Sequence, residues 1–206
     1  MTKTLLILCT IFSSICLAHE KIDEKYYISF GDPSAAIKIT EYFSFACPQC
    51  IRLFNRDFPL IKKEYIETNK IYWTFHPNPM DLTTIQAMDC LEKLNDKQKR
   101  VFLEAILSEA QGVTTHQLVI MMQKGLEILG TPLPDLEKIE YLKQTPAFRS
   151  AFAFISQEAP VTEVPTIEIN GEMQSEIPDK AFIDRKFKEY SLTAQPNTLL
   201  PKGDNS

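Results

Sequence analysis

Two cysteines separated by two residues, Cys47-Pro48-Gln49-Cys50, are the feature of this 206-residue chain most plainly suited to chemistry. The thiolate, not the thiol, attacks disulfides and binds metals, so such a pair is useful only where its surroundings ionise one sulfur. The sequence supplies a reason. An alternating apolar stretch gives way to proline at position 48, and proline suits the first position of a helix because its φ is already set and it has no N–H to lose. Cys47 then falls at the helix N-cap. There, unpaired N–H groups and roughly +0.5 charge of helix dipole favour an anion. Cys47 is expected to be the exposed nucleophile, and Cys50, one turn in, its buried partner. A stabilised thiolate makes their disulfide easy to reduce, so the pair is an oxidant or at least a ready exchanger. Two other uses compete. A structural disulfide over a two-residue loop would constrain the unfolded chain very little. A structural zinc site wants four ligands, and only Cys90, His76 and His116 are on hand, none with a second ligand close by in sequence.

The elements that must place this pair can be read from periodicity. Tyr26–Phe30 reads as a short strand closed by Gly31-Asp32-Pro33, and Ile37–Phe45 as the clearest strand, with Ile37, Ile39, Glu41, Phe43 and Phe45 on one face. The helix led by Pro48 carries Ile51 and Phe54 and should kink or restart at Pro59. Residues 70–76 form another strand. From Leu82 to about Ala159 the pattern is helical, with breaks at Asn95-Asp96, Gly112, Gly130-Thr131-Pro132 and Thr145-Pro146. Four or five helices of about 10–16 residues are expected there. Met121-Met122 and Phe148, Phe152 and Phe154 read as helical core. Val164–Ile169 and Glu172–Ile177 make two strands about an Asn170-Gly171 hairpin turn, and Asp179–Tyr190 makes a final amphipathic helix. The order implies an α/β fold in which a βαβ half and a ββα half flank an all-helical insertion. Its parts are 19–81, 82–160 and 161–190, followed by a loose tail at 191–206.

Composition narrows the setting. Lys and Arg number 22 against 27 Asp and Glu, with no basic cluster, which argues against nucleic-acid binding. The chain begins Met1-Thr2-Lys3, runs apolar from Leu5 to Leu17, and turns polar after Ala18. That is the pattern of a cleaved secretory signal (residues 1–18), too short to span ~30 Å of hydrocarbon comfortably. Cleavage after Ala18 would remove Cys9 and Cys16 and deliver Cys47, Cys50 and Cys90 to a compartment where disulfides persist. Cys90, alone in a helical stretch, reads as a small core hydrophobe. Glu41 is the odd member of its strand. A carboxylate on an apolar face is costly unless paired or protonated, so it is either a functional group or one that reaches an edge or a lysine.

The segment Glu41-Tyr42-Phe43-Ser44-Phe45-Ala46-Cys47-Pro48-Gln49-Cys50, with Val164-Pro165 late in the chain, resembles the DsbA-like thiol:disulfide oxidoreductases. These are periplasmic proteins with a thioredoxin fold and an inserted helical subdomain. The resemblance implies that Cys47 is the attacked sulfur and Cys50 its partner, and that Pro48, Gln49 and Glu41 tune the redox chemistry. It implies that Pro165 is the cis proline facing the disulfide and that Val164 lends its backbone to an extended substrate. The implied activity introduces disulfides into unfolded or partly folded secreted proteins, with a membrane redox partner to re-oxidise the enzyme, which acts as a monomer. No cofactor and no metal are expected. Gln49 departs from the best-known pattern, in which a histidine would place a cation beside Cys47. A reductase or isomerase of the same fold remains an alternative, as does a non-catalytic chaperone or binding module with a structural disulfide.

Overall fold

A computed structural model describes residues 22–157 and 161–193; the expected signal segment and all but the start of the expected tail lie outside them. Five strands form one sheet in the order β1-β3-β2-β4-β5: β1 (Ile28–Phe30), β2 (Ile37–Phe43), β3 (Ile71–Pro77), β4 (Thr166–Ile169) and β5 (Glu172–Gln174). The central β2 runs parallel to β3 and antiparallel to β4. The parallel pair needs a crossover, which is made by α1 (Pro48–Arg56), α2 (Phe58–Ile61) and a π-helical turn at Lys62–Ile66. Between β3 and β4 comes the helical block: α3 (Leu82–Leu91), α4 (Asp96–Glu109), α5 (Thr115–Ile128), the four-residue α6 (Ile139–Leu142) and α7 (Pro146–Ile155). The chain then returns through the β4–β5 hairpin to α8 (Lys180–Thr193). This is the thioredoxin fold with a helical insertion.

The helix starts follow from side chains that satisfy the first N–H groups. Asn95 with Gln98, and Thr114 with Gln117, make reciprocal capping boxes at α4 and α5, while Asp81 and Thr145 cap α3 and α7. Asn170 and Gly171 both take positive φ, 49° and 91°, as a two-residue type I′ turn demands. The turn is pinned to the start of β2 by Lys38, whose N–H donates to Asn170 Oδ1 at 2.8 Å. Gly31 closes β1 at φ 90°, where an added Cβ would lie 2.7 Å from the Ile71 carbonyl oxygen.

Beneath the reactive helix lies an aromatic core. Phe58 is 4.9 Å from Phe75 and 5.1 Å from Phe54, ring centre to ring centre, and Phe43 is 5.3 Å from Phe75. Each fully buried ring contributes about 1.5–3 kcal/mol, so this cluster fixes the seat of α1 against β2 and β3. The two sheet borders are short. β1 has three residues, and the Ser29 carbonyl there accepts a hydrogen bond from Arg100 Nη1 of α4 at 3.2 Å; β5 also has three.

Several boundaries differ from the sequence reading. Tyr26 closes a 3-10 turn (Glu24–Tyr26), so β1 begins at Ile28. β2 ends at Phe43, because Ser44 turns to bond the loop that follows. The expected restart at Pro59 is present, with α1 ending at Arg56 and α2 beginning at Phe58 so that Pro59 sits in its first turn, whereas β5 stops at Gln174. β4 starts at Thr166, leaving Pro165 in the preceding loop, and α8 continues to Thr193. Met122 and Phe154 are core, but Phe152 faces solvent on the outer side of α7.

Candidate active site

Cys47 occupies the N-cap of α1 with extended backbone (φ −79°, ψ 113°), and Pro48 follows at the first helical position. Its sulfur accepts the backbone N–H of Cys50 at 3.2 Å, as a capping oxygen would. Cys47 is partly exposed and Cys50 is buried; both are free thiols, as is the buried Cys90. The Cys50 thiol donates toward the Cys47 sulfur and is the largest cause holding the Cys47 pKa down, to about 6. Burial opposes it, while the N–H groups of Cys50 and Gln49 and the charge of Arg52 add to it. Cys50 shifts the other way: the Cys47 sulfur, burial and the neighbouring Glu41 push its thiol far up. One sulfur is ready to ionise and the other is held as a thiol, so the chemistry of the pair is directional.

Arg52 was not anticipated from the sequence. Its Nη2 donates to Gln49 Oε1 at 2.5 Å, across one turn of α1. The cation missing at position 49 therefore arrives from position 52. The spacing Gln49-x-x-Arg52 on a helix was the available signal, since residues three apart share a face.

A second network fixes the loop that delivers Cys47. Asp81 Oδ2 accepts the hydroxyls of Ser44 at 2.7 Å and Thr84 at 2.8 Å, and Asp81 Oδ1 accepts the Thr84 N–H at 2.8 Å. Ser44 Oγ in turn accepts the N–H of Ala46 at 3.0 Å, and Thr84 Oγ1 accepts the N–H of Phe45 at 3.3 Å. The loop between β2 and α1 is thus tied to the first turn of the helical insertion. Asp81 just ahead of a helical run is an N-cap signal that could have been read, but its reach to Ser44 is a tertiary contact that no local pattern announces.

Glu41 is 6% exposed in the middle of the sheet, opposite Phe75 on β3 and Ile167 on β4. Among the described residues it reaches neither an edge of the sheet nor a lysine. Burial pushes its pKa up to about 8, the indole of Trp73 pulls the other way, and the nearby Cys47 charge adds a little to the rise. The indole favours the carboxylate from a loose geometry only, since Trp73 Nε1 reaches no acceptor at hydrogen-bonding distance. At pH 7 the carboxyl is therefore largely neutral, and it lies close enough to Cys50 to help raise that thiol.

The last side of the site comes from the far end of the chain. The Cys47 thiol meets the Val164 carbonyl oxygen at 3.6 Å, and the Val164–Pro165 peptide is cis. A groove of about 420 Å³ opens beside them, lined by Gln49, Glu163, Val164, Pro165, Glu176 and Ile177 among others. The structure thus brings Cys47, Cys50, Gln49, Glu41, Val164 and Pro165 to one place. Cys90 lies elsewhere, buried in α3, and burial raises its pKa. His116 stands on α5, 3.4 Å from Glu137, and His76 is buried among Tyr27, Tyr42 and Phe154. Among the described residues no three His, Cys, Asp or Glu side chains gather as a metal cage requires.

A sequence family described as Thioredoxin matches residues 23–185. The chain belongs to the thioredoxin family. Among solved structures, this chain resembles alpha-DsbA1 of Wolbachia pipientis, with TM-score 0.62 and 19% identity, covering 82% of this chain and 92% of that one. It also resembles a protein-disulfide isomerase from Novosphingobium aromaticivorans, with TM-score 0.59 and 14% identity over 80% of this chain and 96% of the other. At these identities the likeness is one of fold. A provisionally named protein-disulfide oxidoreductase of Rickettsia typhi is 41% identical over 78 residues, 36% of this chain. The match spans 28% of that relative's length, and 19% of a similarly named protein of Rickettsia bellii, which is 43% identical over 51 residues.

Proposed function

We propose that this protein is an extracytoplasmic thiol:disulfide oxidoreductase that introduces disulfide bonds into secreted proteins. The observation that carries the reading is the split between the two sulfurs: Cys47 is held down to about 6 while Cys50 is buried and pushed up. A thiolate that is stable in the reduced enzyme makes the oxidised enzyme a strong acceptor of electrons.

The cycle starts from the Cys47–Cys50 disulfide. A client thiolate attacks Cys47 sulfur, a mixed disulfide forms, and the bond to Cys50 breaks. The electron pair leaves on Cys50, which takes a proton; protonated Glu41 is the nearby store for it. A second client thiolate then attacks the client sulfur of the mixed disulfide. The client gains its disulfide, Cys47 leaves as a thiolate, and the enzyme has taken up two electrons. A membrane redox partner would withdraw them. The groove beside Val164 and Pro165 would hold the client as an added extended segment, with the Val164 backbone as its template. The apolar leader at Leu5–Leu17 supports export to the periplasm. Among the described residues no helix is long and apolar enough to cross a membrane.

The test is refolding of a reduced secreted protein, with and without the oxidised enzyme. Disulfide formation should be fast with the parent and absent with Cys47→Ser. The equilibrium of the pair with glutathione fixes direction: a pair that stays oxidised in millimolar reduced glutathione would identify a reductase and refute the oxidase.

A further inference from the structure

We infer that Gln49 and Arg52 act together as a positioning pair, in which Gln49 holds the Arg52 guanidinium at the N-terminal end of α1 so that its charge supports the Cys47 thiolate. Four observations converge. Arg52 Nη2 donates to Gln49 Oε1 at 2.5 Å. Helical side chains lean toward the helix N-terminus, so Arg52 extends back over the first turn, and its contact with Gln49 fixes it there. Gln49 is two residues from Cys47, about 3 Å along the helix axis. Finally, the first turn of α1 carries no carboxylate, although helix starts usually favour one. An acid there would destabilise a thiolate, and a cation in the next turn does the opposite.

Arginine suits the task for a reason that separates it from histidine. The guanidinium stays charged throughout the range in which Cys47 titrates, so its support does not fade as pH rises. Gln49 is needed because an exposed arginine alone would be spread over many rotamers and screened by water and salt. Its amide oxygen fixes the cation without neutralising it, which a glutamate at 49 would do. Of the two, only Arg52 supplies charge; Gln49 acts through it.

The inference rests on the reading of Cys47 as the exchanging sulfur, but its test needs no client. The Cys47 thiolate of the reduced protein is titrated by its ultraviolet absorbance in the parent, Arg52→Gln, Arg52→Lys and Gln49→Leu. Arg52→Gln should lower the thiolate-to-thiol ratio at pH 6 by about two- to threefold, the scale of one screened charge at this range. Arg52→Lys should recover most of that ratio, and Gln49→Leu should lose part of it although the arginine remains. Raising the salt to 1 M should bring the parent toward Arg52→Gln. The equilibrium constant with glutathione should move by the same factor at pH 7. An Arg52→Gln protein that titrates with the parent overturns the inference, as does an Arg52→Lys protein that behaves like Arg52→Gln. A shifted titration in a protein that fails to oxidise clients would instead sink the oxidase reading and leave the charge pair standing.

Discussion

Replacing Glu41 with Gln should make the oxidised protein more stable at alkaline pH and change its pH profile in a defined way. The carboxyl titrates near 4.5 when solvated and near 8 in the fold. Below pH 4.5 it is protonated in both states, and its burial carries no ionisation penalty. As pH rises from 4.5 to 8, the unfolded chain releases the proton while the folded one keeps it, so stability falls with every unit. Above 8 both forms are ionised and the loss levels off. The interval of 8 − 4.5 = 3.5 units corresponds to about 5 kcal/mol. That is a large share of the ~5–15 kcal/mol that holds a typical domain together. Glutamine keeps the shape, and whatever its buried amide costs does not depend on pH. Urea unfolding of the oxidised parent and Glu41→Gln at pH 5 and pH 8 isolates the effect, because a disulfide-bonded Cys47 does not titrate. The stability gap between the two proteins should move by ~3.5 kcal/mol in favour of the variant across that interval. A gap that stays within about 0.5 kcal/mol would refute the account, since even a group shifted by only one unit would move it by ~0.7 kcal/mol between pH 5 and pH 8. In the reduced protein the depressed Cys47 pKa acts in the opposite sense: stability is gained as pH rises from about 6 toward 9, and it offsets part of the Glu41 loss.

Three other perturbations follow from the geometry. Brief alkylation of the reduced protein at pH 6.5, with peptide mapping, should label Cys47 at least tenfold faster than Cys50 or Cys90, and preferential labelling of either of the latter would reverse the assignment of the nucleophile. Gly31→Ala forces φ 90° on a residue with a Cβ and drives that atom toward the Ile71 carbonyl, so thermal unfolding should show a loss of ~1–3 kcal/mol; an unchanged midpoint would contradict the close approach. Asp81→Ala removes the α3 cap and leaves the Ser44 and Thr84 hydroxyls without their acceptor. It should cost about 1–2 kcal/mol in urea unfolding, with faster amide exchange at Phe45 and Ala46; unaltered exchange there would show that the loop is held by other means.

The parts of this site that could be read in the sequence are those governed by local rules. Pro48 marked the helix start and so placed Cys47 at the cap; alternation put Glu41 on the buried face; Asn170-Gly171 announced its turn. Alternation misled at the end of β2, where Tyr42 and Ser44 are buried along with Phe43, because helices cover both faces of the sheet there. Phe152 was misassigned because an aromatic residue at helical spacing carries no sign of which face meets a neighbour. The contacts of Cys47 with Val164, and of Ser44 with Asp81, join residues 117 and 37 positions apart, and only the completed fold brings them together.

The short borders of the sheet have a consequence for the company the protein would keep. A chain that handles unfolded polypeptides meets extended segments eager to add themselves to any open row of N–H and C=O groups, which is how aggregates and fibrils begin. Here neither border offers more than three residues. On β1, Arg100 already occupies the Ser29 carbonyl, and the opposite border is a hairpin arm ending in an exposed polar turn. Too few rungs are present on either side for an incoming strand to gain a lasting hold. The extended segment accepted at the Val164 loop would be held by only a few backbone groups and a transient sulfur–sulfur bond, so it can leave once that bond is exchanged. Under the proposed function, the architecture would thereby separate brief engagement of a client at the cysteines from permanent adhesion along the sheet.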